Sequence, residues 1–90
     1  MNIIEVIPND NYTLYVKADD GLAGIFDVKP FLDSEAFAPL KDLDEFKKIQ
    51  HGGYFVEWEC GTDLSADTIQ ARWIPITQDV QPRASAASRR

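Results

Sequence analysis

The sequence predicts a small α+β domain: a mostly antiparallel sheet with two or three short helices. Ninety residues suffice for one domain with one core. Strand-like segments separated by short turns fill the N-terminal third, and a further strand follows at about residues 54–60. Short helical segments lie between and after these strands. We expect one domain over residues 1–76 and a flexible tail over residues 77–90.

The N-terminal third predicts a three-stranded antiparallel meander. Residues 2–7 are rich in β-branched side chains and end at Pro8, which cannot donate to a sheet ladder. Residues 12–18 alternate between apolar and polar-leaning positions, which is typical of a half-buried strand. Asp19-Asp20-Gly21 is a hairpin turn signal, and residues 22–28 form the returning strand.

The middle of the chain predicts short helices. Pro30 suits the first turn of a helix, and residues 33–40 allow one helical turn at most. A helix beginning near Asp42 carries one apolar stripe through Leu43, Phe46 and Ile49. The segment His51-Gly52-Gly53 is expected to end that helix and reverse the chain.

The C-terminal part predicts a strand followed by a helix. Along residues 54–60, one face carries Tyr54, Val56, Trp58 and Cys60, and the other carries Phe55, Glu57 and Glu59. Residues 61–64 form a turn. Ser65 is a good N-cap for a helix over residues 66–73, and Pro75 closes that segment.

The charge is unevenly distributed. Residues 1–76 hold 14 acidic and 6 basic side chains, a net charge of −8, whereas residues 77–90 hold one Asp and three Arg, a net charge of +2. The sum is the −6 of the whole chain. So acidic a domain repels phosphate backbones, which excludes direct nucleic-acid binding as the expected function.

The compartment follows from the cysteine count and the apolar runs. Cys60 is the single cysteine, so no intramolecular disulfide can form. No apolar run is long enough to cross a bilayer, and the N-terminus lacks the pattern of a signal peptide. We expect a cytoplasmic protein without membrane contact.

Acidic side chains are the first candidate for chemistry. Glu57, Glu59, Asp63 and Asp67 could form a divalent-metal or acid/base site, because Glu57 and Glu59 share a strand face. Their spacing matches no calcium loop. The favoured interpretation is a solvated strand face and helix start, with no cofactor, no metal and no catalytic residue.

The remaining polar candidates also favour structural roles. His51 could titrate near neutral pH, but next to a helix end it would compensate the helix dipole. Cys60 is expected to be a half-buried, inert thiol. The glycines of residues 21–24 and 52–53 lack the residues of a phosphate-binding loop.

Aromatic side chains give the strongest functional signal. Tyr15 and Phe55 fall on the polar-leaning faces of their strands, where exposed aromatic rings would form a protein-contact patch. The interpretation favoured over this one is that both faces of a small sheet are partly covered. The candidate interaction surface comprises Tyr15, Phe55, Trp58, Glu57 and Glu59.

The order of these features resembles a bacterial family of small proteins, domain of unknown function 2442 (DUF2442), over about residues 3–73. The matching segments are Tyr12-Thr13-Leu14-Tyr15-Val16, Asp20-Gly21, Phe26-Asp27-Val28, Phe37-Ala38-Pro39-Leu40-Lys41-Asp42 with Phe46, and Trp58 with Gly61-Thr62-Asp63-Leu64-Ser65-Ala66-Asp67. Glu59 departs from the family, in which a small turn residue often follows the Trp.

The resemblance implies a compact α+β domain without an established activity. Some relatives carry an added helix-turn-helix domain, for which this chain has no room. Relatives are also described beside a second small protein, in pairs that look like toxin–antitoxin modules.

Three functions therefore remain open. The favoured one is a non-enzymatic protein-interaction or regulatory, antitoxin-like module, whose partner is a protein such as a small protein of the same operon. The second is a metal-binding or hydrolytic domain that uses the acidic cluster. The third is a structural domain of a separated transcription regulator. Exposed strand edges also leave a homodimer open.

Overall fold

The computed structural model describes residues 1–76, which form two antiparallel sheets and short helices. The strands are β1 (Ile3–Pro8), β2 (Thr13–Ala18), β3 (Ala23–Asp27), β4 (Ile49–His51), β5 (Phe55–Trp58), β6 (Asp63–Ser65) and β7 (Ile74–Ile76). The helices are two 3₁₀ segments, Lys29–Phe31 and Glu35–Lys41, followed by α1 (Leu43–Phe46) and α2 (Ala66–Arg72). One sheet has the order β1-β2-β3-β7 and the other β4-β5-β6. The α+β class predicted from the sequence is confirmed, and the predicted tail lies outside the described residues.

Three hairpin turns of the fold share one backbone pattern. In each five-residue turn, the N–H of the first residue donates to the carbonyl of the fifth. The N–H of the fourth residue donates to the carbonyl of the first. These turns span residues 9–13, 18–22 and 58–62. The fourth residue has a positive φ in every case: 62° at Tyr12, 90° at Gly21 and 99° at Gly61. Tyrosine thus occupies a left-handed position that glycine fills in the other two turns.

Contacts of the side chain keep Tyr12 in this conformation. Its hydroxyl donates to the carbonyl oxygen of Lys41, and its ring lies edge-on to Phe46 with 5.3 Å between ring centroids. Nearby, the Lys47 ammonium lies 2.7 Å from the Asp10 carboxylate. The first turn is therefore attached to the segment that leads into and out of α1.

Proline lies in both outer strands of the four-stranded sheet. The Ala18 N–H donates to the Leu22 carbonyl, and the Val28 N–H donates to the Tyr12 carbonyl. Successive residues of a strand point their N–H and C=O groups to opposite sides. The even-numbered residues of β3 therefore bond to β2, and the odd-numbered residues bond to β7. Pro75 pairs with the even-numbered Gly24, so its backbone nitrogen faces away from the sheet.

The same reasoning applies to Pro8 in β1. The Asn9 N–H donates to the Thr13 carbonyl, so Pro8, one residue earlier and paired with Leu14, also faces outward. The helix before Pro75 ends at Arg72, as predicted, but Pro75 itself lies within a strand that the sequence did not predict. Proline fits within β7 because the N–H that it lacks would have faced outward.

Both sheets contribute to one buried core. The inner face of the larger sheet supplies Leu14, Val16 and Phe26, and Val56 and Trp58 of β5 belong to the same cluster. Leu40, Phe46 and Ile69 complete it from the helical segments. The Ile3 N–H donates to the Gly53 carbonyl at 2.7 Å, which joins the edge of β1 to the second sheet.

The helix predicted from Asp42 is shorter than expected. The Asp42 carboxylate accepts the Asp44 N–H at 3.0 Å as an N-cap, but α1 ends at Phe46. Ile49 pairs with Trp58 in β4, and the backbone of Lys48 accepts the Glu59 N–H. Sheet pairing thus replaces the last helical turn.

The C-terminal helix follows the prediction. The Ser65 hydroxyl accepts the Thr68 N–H at 3.1 Å, and α2 runs over Ala66–Arg72. The strand predicted over residues 54–60 is β5, which is shorter and covers Phe55–Trp58. Within residues 1–76, every helix is too short to cross a membrane.

Candidate functional site

The four-stranded sheet presents one face that points away from the core. Strand register aligns one row of side chains across all four strands: Ile7, Tyr15, Ile25 and Ile74. A second row lies beside it: Glu5, Lys17, Ala23 and Ile76. We call these eight residues the outer face; Ala23 within it is buried, so it adds no exposed surface.

Apolar side chains on the outer face are exposed to water. Ile74 is 70% exposed, Ile7 43% and Ile76 38%, whereas Tyr15 and Ile25 between them are half-buried. With strands about 4.8 Å apart, the first row spans about 14 Å. Ile7, Ile74 and Ile76 do not belong to the buried core cluster. A contiguous apolar surface of this kind is typical of a contact site.

Carboxylates border one end of the outer face. Asp19 and Asp20 lie in the turn beside Ala23. Asp19 accepts a hydrogen bond from the Asn2 side chain at 3.2 Å, and Asp20 accepts the Leu22 N–H at 3.0 Å. Neither forms a salt bridge within residues 1–76. The border is therefore negatively charged, like the domain as a whole.

Tyr15 is the one member of the sequence-predicted surface that lies on the outer face. Phe55 lies in the other sheet, is partly exposed, and packs its ring against Gly52 so closely that a side chain there would clash. Glu57 shares the Phe55 face of β5 and is half-buried opposite Asp63. The predicted residues are thus divided between two sheets.

Trp58 cannot belong to an interaction surface. Its side chain is 1% exposed, and its indole Nε1–H donates to the Phe46 carbonyl at 2.8 Å inside the core. The prediction is wrong because the Val56 face of β5 packs against the helical segments. Glu59, just beyond the strand, remains exposed and lies 4.0 Å from the Lys48 ammonium.

The acidic cluster is only partly assembled. Glu57 and Asp63 are register partners across β5 and β6, whereas Asp67 lies in the first turn of α2. Within residues 1–76, no group of three or more Asp, Glu, His or Cys side chains could hold a metal ion. The arrangement of these carboxylates therefore does not favour metal chemistry.

His51 and Cys60 both differ from their predicted surroundings. His51 is exposed and is the last residue of strand β4. It therefore does not lie at the end of a helix, as the sequence predicted. Cys60 is exposed in the β5–β6 turn, with its Sγ 3.4 Å from the Thr62 hydroxyl, and the expectation of a half-buried thiol is wrong. The turn ends the strand at Trp58, before the thiol can be covered.

A shallow cleft of about 320 Å³ lies beside β4. Its lining is Lys47, Lys48, Ile49, Gln50 and Glu59. A hydrogen bond to Asp10 raises the pKa of Lys47, and one to Glu45 raises the pKa of Lys48. Both ammonium groups already contact carboxylates, so the cleft offers no uncompensated positive charge to a ligand.

Comparison with known proteins identifies the family. The family model described as a protein of unknown function, DUF2442, matches residues 3–75. The chain belongs to the DUF2442 family. No curated protein and no solved structure matches it. The match covers both sheets and ends one residue before the last residue of β7, so the outer face belongs almost entirely to the DUF2442 domain.

Sequence reasoning missed most of the outer face of this DUF2442 domain. Ile7 and Ile25 were placed on strands, but the faces on which they lie were not compared across strands. The segment Ile74–Ile76 was not recognised as a strand at all. The available signal was the isoleucine on either side of Pro75, because alternation around an outward-facing proline is compatible with an edge strand.

Proposed function

We propose that this DUF2442 protein is a non-enzymatic protein-interaction module whose contact surface is the outer face. The observation that supports this is the row of Ile7, Tyr15, Ile25 and Ile74, which lies on the outer side of the sheet, whereas the opposite side of β2 and β3 is buried. Burying one exposed isoleucine in an interface stabilises a complex by roughly 1–2 kcal/mol.

The charge of the domain supports a regulatory, antitoxin-like role. Residues 1–76 carry a net charge of −8, so a basic partner would be attracted before contact and masked after it. Inhibiting a second protein in this way requires a surface and a field but no catalytic group. The exposed apolar rows and the bordering carboxylates supply both.

The test is a pull-down from the native host with the tagged full chain and two variants. Ile74→Asn removes an exposed side chain of the outer face, and Tyr54→Asn removes an aromatic side chain that is 75% exposed and lies outside it. We expect a specific protein that the wild type and Tyr54→Asn retain and Ile74→Asn loses. Equal recovery by all three, or no specific protein with any of them, would refute the proposed surface.

A further inference from the structure

Resting on the proposed function, we infer that the occupant of the outer face is a basic amphipathic helix of a partner protein. The occupant's chemistry is an apolar stripe flanked by Lys and Arg side chains. Four properties of the sheet point to it: the state of its edges, the shape of the apolar area, its size and its charge.

The edges disfavour a strand as occupant. Adding a strand requires outward N–H and C=O groups along an edge. At Pro75 the outward position of β7 lacks its N–H, and at Pro8 the outward position of β1 lacks it as well. Since β1 is also bonded to Gly53, in the turn between β4 and β5, a partner gains more from the face than from either edge.

The shape of the apolar area fits a helix. The first row is about 14 Å long, and the two rows lie about 7 Å apart along the strands. An α-helix is about 10 Å wide and rises 5.4 Å per turn, so about three turns lie along the row. Apolar residues at i, i+3 or i+4, and i+7 would contact Ile7, Tyr15, Ile25 and Ile74 in succession.

The size and charge of the face disfavour a second copy of this chain. A stable dimer buries about 800 Å² on each partner, whereas two rows of four residues offer on the order of 300 Å². Each copy also carries a net charge of −6, so two copies repel each other. A single helix can bind through a smaller area than a dimer needs. If the helix is positively charged, its interaction with this acidic domain is attractive rather than repulsive.

The border specifies where the positive charge should lie. Asp19 and Asp20 flank the end of the face at Ala23 and Ile76, and Glu5 lies on the face beside Lys17. Lys or Arg side chains on the side of the apolar stripe nearer this end would reach these carboxylates while their stems cover apolar surface. Exposed ion pairs of this kind add mainly to association rate and salt dependence.

The test uses three synthetic peptides of about 14 residues and the full chain. The first peptide has a leucine stripe flanked by lysines, the second has the same stripe flanked by glutamates, and the third has the composition of the first in scrambled order. Binding is measured by fluorescence anisotropy at about 50 mM and about 150 mM salt. Matched protein variants are Ile74→Asn on the face and Tyr54→Asn outside it.

The expected result is preferential binding of the lysine-flanked helix. It should bind at least about tenfold more tightly than either other peptide, and Ile74→Asn should weaken it at least about fivefold while Tyr54→Asn leaves it unchanged. Equal binding of the scrambled peptide, or no effect of Ile74→Asn, would overturn the inference. So would light scattering that shows a dimer dissociated by Ile74→Asn, because the face would then hold a second copy.

Failure here is distinguishable from failure of the proposed function. A native partner that depends on Ile74 in the pull-down, together with no binding of the lysine-flanked peptide, would retain the interaction module and reject the helix. Lack of peptide binding by the full chain would also be the result if residues 77–90 occupied the face. The inference of a partner helix would then be wrong.

Discussion

The left-handed backbone of Tyr12 in the first hairpin turn can be tested by comparing the stabilities of its glycine and alanine variants. Replacing alanine by glycine normally destabilises a protein by about 0.5–1 kcal/mol. At a left-handed position the order reverses, because an L side chain there costs about 1–2 kcal/mol. With φ at 62°, we expect Tyr12→Gly to be more stable than Tyr12→Ala by about 1 kcal/mol.

Both short variants should still be less stable than the wild type. Each loses the edge-on contact with Phe46, which contributes about 0.5–1.5 kcal/mol beyond its buried area. Each also loses the hydroxyl bond to Lys41, which contributes about 0.5–1.5 kcal/mol. We expect Tyr12→Ala to lose about 2–4 kcal/mol. Tyr12→Phe keeps the ring and should lose only about 0.5–1 kcal/mol, since water can replace the exposed bond.

Urea unfolding of the full chain measures these differences, provided that the slope m stays constant among variants. In a domain of this size, 1 kcal/mol corresponds to about 4–8 °C in Tm. Gly21→Ala is the control: no atom lies within 4 Å of its Cβ position, so its expected loss of about 1 kcal/mol reports the backbone alone. If Tyr12→Ala proved as stable as Tyr12→Gly, the left-handed conformation of Tyr12 would be refuted.

Three further substitutions test the core and the α2 cap by the same unfolding assay. Trp58→Phe removes the buried donor to the Phe46 carbonyl and should cost about 1–3 kcal/mol; a loss below 0.5 kcal/mol would contradict the hydrogen bond. Gly24→Ala should cost about 1–3 kcal/mol because its methyl group meets the Trp73 ring, and adding Trp73→Leu should make the pair less than additive. Ser65→Ala should cost about 1 kcal/mol by removing the N-cap, whereas Ser65→Asp should retain most of it.

Elements encoded by local chemistry could be predicted from the sequence. The turn Asp19-Asp20-Gly21 and the Ser65 cap are formed by neighbouring residues, and both are present as expected. Strands β4, β6 and β7 have three residues each, which is too short for a period of two to be recognised. β4 and β6 form as partners on either side of β5, and β7 forms by pairing with the distant β3.

The candidate site depended on long-range pairing to a greater extent. Tyr15 was identified because alternation along a single strand assigns it to the polar-leaning side. Trp58 was misplaced because both faces of its strand carry aromatic side chains, and alternation does not state which face is buried. Ile74 joins the surface only through its register with Ile25, a pairing that spans almost 50 residues. No local pattern contains that information.

The edges of the four-stranded sheet disfavour association, whereas its outer face exposes apolar side chains. Pro8 and Pro75 remove outward donors at positions where the ladder needs none, which protects the sheet against strand addition at little cost to its stability. Solubility alone would favour polar side chains at Ile7 and Ile74 as well, because neither contributes to the core cluster. The same strands thus disfavour strand addition at their edges and expose an apolar row on the face, which is the combination that the proposed contact surface requires.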